Sequence, residues 1–306
     1  MRSNSRIGSP KVWSTLQCYA LLLVPVALLT LFIYLPVLWA FYKSLYEFEI
    51  GSPSRFVGLG NYREFLFLDP TTIPMALNML FLTVFAVVAR LTAPLIAAKL
   101  ICSLPGDRSR YFYRLIFLVP ILVPTIAMQL IWSGAIYSDQ GLLNNLLTAV
   151  GLDQWTTGWL GDPRTALVAL AFVGFPFVGG FEVLIYYAGL AGIPTSVNEA
   201  ARLEGCVGIR KFFLIDIPMI MSQIKLILIL TIIGGIQGFE GILVMTQGRP
   251  GFKTTVPGLW MYYNAFSFQR MGYACAIGVC LFVVILGFTI LNMRLVRSTQ
   301  DLEAGR

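Results

Sequence analysis

The most prominent pattern along the chain is a series of long apolar stretches separated by short polar segments. A helix that crosses a bilayer needs about 20 apolar residues. Six stretches reach that length, namely residues 18–41, 74–98, 115–138, 165–190, 226–247 and 271–293. The pattern predicts an all-α polytopic membrane protein with about six transmembrane helices. Proline predicts kinks in the third stretch, at Pro120 and Pro124, and in the fourth, at Pro176.

Composition supports a membrane protein and argues against most enzyme chemistry. Of 306 residues, 57% are hydrophobic and 12% are charged, whereas soluble proteins carry about 25% charged residues. Histidine is absent, which removes the commonest metal ligand and the usual acid–base group at neutral pH. The five cysteines show no metal-ligand or redox spacing. We predict no catalytic residue and no metal site, and a membrane-embedded enzyme is disfavoured.

The distribution of basic residues predicts the orientation in the membrane. Six spans place both termini on one side, together with the loops that follow the second and fourth stretches. That side holds 14 of the 22 Lys and Arg residues, the other side holds 7, and Arg90 lies inside a span. The positive-inside rule therefore predicts cytoplasmic termini, and topology accounts for the net charge of +7 without nucleic-acid binding. The first stretch is too long for a signal peptide and is predicted to be a retained anchor.

A charged segment at residues 191–218 interrupts the apolar pattern. Ser196 and Glu199 have the spacing of a capping box, residues 197–204 predict a helix of about two turns, and Gly205 stands where a left-handed C-terminal cap is expected. So short a helix is marginally stable alone in water. It either packs on its own membrane domain or is gripped by a cytoplasmic partner, and the residues alone leave both open.

The sequence EAARLEGCVGIRKFFLIDIP, residues 199–218, resembles the motif of the membrane subunits of ATP-binding-cassette importers. That motif reads E-A-A, three residues, G, nine residues and I-x-L-P, and this chain departs from it only by Ile217 in place of Leu. Other stretches are similar to the carbohydrate-uptake branch: FVGLGNYREF (56–65), LVPILVPTIAMQLIW (118–132), NNLL (144–147), FPF (175–177), FEGILVMTQGRP (239–250) and YYNAF (262–266).

The resemblance implies a type I importer permease fold and a path for a carbohydrate, expected to be a di- or oligosaccharide. It implies an N-terminal tail, first span and outer loop (1–70), a permease domain (71–297) and a cytoplasmic tail (298–306). The two-turn helix would be the coupling helix that docks on an ATPase subunit. The residues implied in coupling are Glu199, Ala200, Ala201, Leu203, Gly205 and Pro218.

The resemblance also implies an assembly in a bacterial cytoplasmic membrane. Its members would be a second homologous permease, two ATPase subunits and an extracytoplasmic substrate-binding protein. The chain itself lacks a phosphate-binding P-loop: the nearest segment, GRPGFKTT (248–255), has Phe252 between Gly251 and Lys253. We therefore expect this chain to bind no cofactor, with ATP and Mg²⁺ held by the partner ATPase.

Candidate substrate-path residues come from the fourth and fifth stretches. In the family, ligand contacts come from a Gly-x-Pro-aromatic step and from the polar face of the next span, and Phe175 and Phe177 are suited to stack on a sugar ring. By position, the resemblance implies Gly174, Phe177, Thr231, Gly234, Gly235, Gln237, Gly238 and Glu240. The glycine-rich run at 231–246 has two interpretations: close helix packing or a partly unwound helix that exposes backbone groups to a ligand.

Three charged residues inside the apolar stretches leave alternatives open. Arg90, Glu182 and Glu240 are costly in a membrane and are candidates for function, but each has a plain alternative in helix–helix pairing or snorkelling. A proton- or sodium-coupled secondary transporter would use these three residues. A glycerol-phosphate permease would use Arg90, Arg249 or Lys253 to bind an anion.

Overall fold

The computed structural model describes residues 15–295, and over that range the chain is mostly helical with only two short strands, as predicted. The α-helices are α1 (Thr15–Leu29), α2 (Leu35–Lys43), α3 (Gly60–Arg63), α4 (Thr72–Ser103), α5 (Asp107–Leu118), α6 (Thr125–Ile131), α7 (Leu142–Ala149), α8 (Ala166–Ala171), α9 (Gly180–Ala191), α10 (Thr195–Leu203), α11 (Gly208–Lys211), α12 (Ile217–Met219), α13 (Met221–Gln237), α14 (Glu240–Met245), α15 (Pro257–Tyr262) and α16 (Met271–Leu295). Two short strands, β1 (Tyr46–Glu47) and β2 (Arg55–Phe56), pair antiparallel. The predicted tail at 298–306 lies outside the described residues, and so do the terminal basic residues except Arg294.

The candidate membrane spans differ in form from six unbroken helices. Within residues 15–295, three unbroken helices are long and apolar enough to cross a bilayer: Gln17–Lys43, Thr72–Ser103 and Met271–Arg294. Two further candidates are bent pairs, one of α5 with α6 (86°) and one of α11 and α12 with α13 (72°). The predicted fourth span is divided into α8 and α9. The count of six spans therefore stays a prediction.

Prolines break the third and fourth stretches. α5 ends at Leu118, a 3-10 turn follows, and Val123 has an extended ψ of 122° before Pro124, as expected for a residue that precedes proline. The break predicted at Pro124 is confirmed, whereas at Pro120 the α-helix gives way to a 3-10 turn and the separate kink predicted there stays a prediction. At Pro176 the effect is larger than the predicted kink, because no helix is present between Ala171 and Gly180.

The glycine-rich run of the fifth stretch contains both a helix break and a close packing contact, whereas exposure of its backbone to a ligand stays a prediction. α13 ends at Gln237, Gly238 has an extended ψ of 120°, and α14 starts at Glu240, so the helix is interrupted there. Gly235 serves close packing instead: a Cβ at this position would lie 2.8 Å from Cγ2 of Thr83 on α4.

The core lies where α4 packs against α9 and α13. Its main cluster of buried side chains is Leu95, Ala97, Ala98, Ile101, Val183, Tyr186, Leu190, Ile193, Ile220 and Ile227. A second cluster joins the starts of α4 and α16 to α13, with Met75, Ile236, Tyr273 and Ile277 among its members. Many large apolar side chains point outward along the long helices, as a lipid-facing surface requires.

Candidate functional site

A cavity of about 570 Å³ lies between α4, α6, α9, α13 and the two helix breaks. Seven of the eight predicted path residues line it: Gly174, Phe177, Thr231, Gly234, Gly235, Gly238 and Glu240. Gln237 is exposed and is not among the residues that line this cavity, and its part in the substrate path stays a prediction. The fold thus gathers residues from two distant stretches around one space, and their part in binding a substrate stays a prediction.

The break in the fourth stretch supplies an aromatic wall. Phe177 has a φ of +64° and follows Gly174 at +88°; a non-glycine residue in this left-handed region costs about 1–3 kcal/mol, and such strain concentrates at ligand sites. The ring of Phe177 packs 5.4 Å from that of Phe85 on α4, centroid to centroid. Phe175, predicted beside Phe177 as a sugar-stacking ring, lines a separate apolar cavity with Trp132 instead.

The charged residues of the cavity include an ion pair. Arg90 on α4 and Glu182 on α9 lie 3.1 Å apart, Nη1 to Oε1. The Glu182 side chain is 11% exposed and that of Arg90 is 56% exposed. Glu182 is in the first turn of α9, where a negative charge meets the positive end of the helix dipole. The pairing alternative is confirmed for both residues.

Gly179 leaves the room that the Glu182 carboxylate occupies. A Cβ at position 179 would lie 2.2 Å from Oε2 of Glu182, well inside van der Waals contact. Glycine at the N-cap of α9 therefore allows the carboxylate to lie against the helix start while its other oxygen pairs with Arg90.

Three polar groups lie at or near the cavity, and two of them, Gln129 and Thr83, were not predicted from the sequence. Glu240, in the first turn of α14, accepts a hydrogen bond from the backbone N–H of Phe239 at 3.3 Å. Gln129 on α6 lines the cavity, and its buried Oε1 has no hydrogen-bond partner within residues 15–295. Thr83 carries an equally unpartnered buried hydroxyl against Gly235. Their sequence signal was a single polar residue in an apolar stretch.

The predicted coupling helix is present as α10, although its N-terminal cap differs. α10 begins at Thr195, its N-cap position is Pro194, and no side chain caps it. The capping box predicted from Ser196 and Glu199 is therefore wrong, since both residues lie within the helix. The C-terminal prediction is confirmed: Gly205 has a φ of +69°.

The end of α10 closes in a Schellman arrangement. The N–H of Gly205 donates to the carbonyl of Arg202 at 3.1 Å, and the N–H of Cys206 donates to that of Ala201 at 2.8 Å. These two bonds satisfy carbonyls that would otherwise be unpaired at the helix end. Gly205 is the left-handed residue of this arrangement, and glycine adopts that conformation at the lowest cost.

The predicted coupling residues divide by exposure. Glu199, Ala200, Gly205 and Pro218 are exposed, and Leu203 is 90% exposed. Ala201 is only 3% exposed and packs within its own chain, and its part in coupling stays a prediction. The exposed Leu203 is accessible to a partner surface, and its part in coupling stays a prediction.

The segment that most resembles a P-loop is a closed turn. The hydroxyl of Thr255 donates to the carbonyl of Gly248 at 3.0 Å, and that of Thr254 donates to the carbonyl of Arg249 at 2.8 Å. Both threonines are buried. Their hydroxyls are thus used within the turn, which argues against a phosphate-binding role.

Comparisons with known proteins agree with this geometry. Residues 90–301 match the family described as "Binding-protein-dependent transport system inner membrane component". The chain is 31% identical to the probable ABC transporter permease protein YurN of Bacillus subtilis, over 92% of this chain and 96% of the relative. It is also 31% identical to the diacetylchitobiose uptake system permease protein NgcF of Streptomyces coelicolor, over 92% and 82%.

A solved structure shares the fold. A chain of the bacterial alginate ABC transporter, crystallised with an alginate pentasaccharide-bound periplasmic protein, superposes with a TM-score of 0.77, at 20% identity and over 92% of this chain and 96% of that one. With the broken spans, the cavity and the α10 motif, these matches lead to one conclusion: the chain belongs to the family of binding-protein-dependent transport system inner membrane components, and is a multi-pass permease component of an ABC importer.

Proposed function

We propose that this chain is one of two permeases of an ATP-driven importer that carries a di- or oligosaccharide across the bacterial cytoplasmic membrane. The observation that carries the proposal is the pairing of two features in one chain. A membrane cavity with an aromatic and polar lining is joined, through α9, to the exposed and capped helix α10. The cavity is suited to bind a ligand, and α10 is suited to bind a partner subunit that moves it.

The lining chemistry supports a sugar. A sugar ring offers an apolar face to an aromatic ring such as Phe177, and its hydroxyls pair with carboxylates and amides such as Glu240 and Gln129. The relatives point the same way, since one is named for diacetylchitobiose uptake and a solved relative is an alginate importer.

The cavity charge argues against a phosphorylated solute. Its lining contains one basic residue, Arg90, which is paired with Glu182, and a further carboxylate, Glu240. Arg249 and Lys253, the other residues considered for anion binding, are not among its lining residues. A glycerol phosphate would therefore meet net negative charge and no free cation in this part of the path.

The proposed assembly adds a second permease, two ATPase subunits and an extracytoplasmic sugar-binding protein. Residues 71–297 would form the permease domain, with α10 seated on an ATPase. ATP and Mg²⁺ would bind there and not to this chain. Closure of the ATPase pair on ATP would displace α10 and reorient the spans, and hydrolysis would reset them. This chain contributes the path and the moving contact, with no covalent chemistry.

The test separates ATP-driven from ion-driven uptake. Proteoliposomes with the complete complex, ATP inside and the binding protein outside would be offered radiolabelled oligosaccharides, diacetylchitobiose and maltose among them. We expect uptake that requires the ATPase subunits and persists with a proton-conducting uncoupler. Uptake by the permeases alone, or its loss with the uncoupler at constant ATP, would support the secondary-transporter alternative.

A further inference from the structure

A buried carboxylate lies at the base of the segment that carries α10. Asp216 is 1% exposed. One oxygen accepts from Nζ of Lys99, and the other accepts from Nζ of Lys211 at 2.7 Å. The two lysine side chains are 32% and 17% exposed. We call Lys99, Lys211 and Asp216 the Asp216 triad.

The triad joins segments that are far apart in sequence. Lys211 ends α11, and Asp216 ends the π-helical turn that follows it, just before the 72° bend into α13. Lys99 lies near the end of α4, 117 positions away from Asp216. The triad is therefore a polar contact between the region after α10 and the end of α4.

α4 is also a wall of the cavity. It contributes Leu82, Phe85, Ala86, Ala89 and Arg90 to the lining. Lys99 is nine positions beyond Arg90 on the same helix, which corresponds to roughly 14 Å along its axis. Because α4 is one continuous helix, a displacement of Lys99 along or across its axis also moves the cavity wall.

The surrounding contacts are apolar and less specific. Ala98 and Ile101 of α4 belong to the same buried cluster as Ile193 and Ile220, which flank the segment. Apolar contacts are non-directional, so they permit sliding. A carboxylate held between two ammonium groups fixes a direction and a register, because the loss of either partner leaves a buried charge poorly compensated.

We propose that Asp216 is a positioning residue for transport. Its ion pair with Lys99 passes a displacement of α10 to α4, and this alters access to the cavity. The inference rests on the proposed function. A merely structural role would make the triad a stabiliser of the fold, with no effect on the response to nucleotide once the complex is assembled.

The test reads cavity access directly and needs no identified sugar. The complete complex of both permeases and the ATPases, in nanodiscs, would carry Gly234→Cys, a cavity position where an added Cβ meets nothing within 4 Å. The rate of labelling by a polar maleimide is measured with and without Mg²⁺ and a non-hydrolysable ATP analogue. The same complex without the added cysteine gives the background from the native cysteines.

We expect nucleotide to change the labelling rate of the reporter by about fivefold or more, the lower range of typical coupling between sites. With Asp216→Asn, the ratio of the labelling rates with and without nucleotide should fall close to one, while the ATPase subunits bind the analogue as before. Asp216→Glu, which keeps the charge, should recover part of the response. Asp107→Asn is the matched control, since it removes an exposed ion pair with Arg110 and should leave the ratio unchanged.

Lys99→Gln keeps the inference testable if Asp216→Asn does not assemble, because Asp216 then retains Lys211. A ratio near one in Lys99→Gln supports the proposal. A full nucleotide response in Lys99→Gln, or in an assembled Asp216→Asn, overturns it. A parent complex whose labelling ignores nucleotide would overturn the proposed function itself, which is a different result.

Discussion

Arg90 on α4 and Glu182 on α9 form an ion pair across the cavity wall, with 3.1 Å between Nη1 and Oε1. The two partners are not equivalent, because Glu182 is nearly buried whereas more than half of the Arg90 side chain is accessible. Breaking a fully buried pair by removing one partner costs about 3–5 kcal/mol, and partial access to water reduces that cost here. The asymmetry has a measurable consequence.

We predict that Arg90→Gln destabilises the protein more than Glu182→Gln. Arg90→Gln leaves a buried carboxylate without its partner, for a loss of about 1–3 kcal/mol, whereas Glu182→Gln leaves a cation that can be hydrated from the cavity. The thermal unfolding midpoint of the purified complex measures the difference. The double variant, which removes both charges, should lie between the wild type and Arg90→Gln. Equal losses in the two single variants would contradict the assigned burial.

The glycines at the start of α9 should differ sharply from a glycine that faces the open cavity. A Cβ on Gly180 would lie 2.1 Å from the backbone oxygen of Phe117, and a backbone atom cannot move aside without shifting α5. We expect Gly180→Ala to cost about 1–3 kcal/mol, as overpacking does. Gly234→Ala, with open space around its Cβ, is the control and should leave stability within about 1 kcal/mol. Unfolding midpoints of both variants are compared.

Gly205→Asp is predicted to leave the protein in the membrane while strongly reducing sugar uptake and substrate-stimulated ATPase activity. The position has open space but a φ of +69°, so the substitution strains the Schellman cap and adds a charge at the proposed docking surface. Gly205→Asn separates these causes, because asparagine tolerates the left-handed region better than most residues and is neutral. Wild-type uptake by Gly205→Asp would count against α10 as the moving contact.

Within the cavity, Glu240→Gln should weaken the apparent affinity for the transported sugar by about tenfold, a typical loss of roughly 1.4 kcal/mol when a charged hydrogen-bond acceptor is replaced. Basal ATPase activity of the complex should stay unchanged. Gln237→Ala, three positions earlier and outside the cavity lining, is the control for this prediction. An impaired Gln237→Ala would support the path role that the resemblance implies for Gln237, whereas a normal Glu240→Gln would contradict the role of Glu240. Sugar-concentration dependence of uptake is the measurement.

Asp69, in the loop just before α4, should make stability depend on acid pH. Partial burial acts to raise its pKa, but hydrogen bonds from Thr71, Tyr273 and Trp260 outweigh it, so the pKa lies below its ordinary value. A carboxyl group with a lowered folded-state pKa contributes stability above its unfolded pKa, about 3.9, and loses it as the pH falls through the folded value.

We therefore expect that, at pH values below about 4, the thermal unfolding midpoint decreases more in the wild type than in Asp69→Asn. The variant, which lacks this titration, should already be less stable by about 1–2 kcal/mol at neutral pH. If the unfolding midpoints of the two proteins changed with pH in parallel, Asp69 would not be the cause of the acid sensitivity.

Local rules account for the part of the architecture that was predicted. Pro124 bends the third stretch because proline lacks an N–H and restricts the residue before it. Gly205 ends α10 because only glycine enters the left-handed region at little cost. The seven cavity residues were found because the motifs that carry them sit at fixed points of a shared fold.

The chain by itself determined its helical class, its apolar stretches, its breaks and the α10 segment, since each depends on residues close together in sequence. Tertiary packing decided the rest. Arg90 meets Glu182 across 92 positions and Lys99 meets Asp216 across 117, and no local pattern encodes such distances. Which side of a short helix is buried likewise depends on what packs against it. That is why Ala201 is buried and Gln237 does not line the cavity, although the resemblance implied a functional role for both.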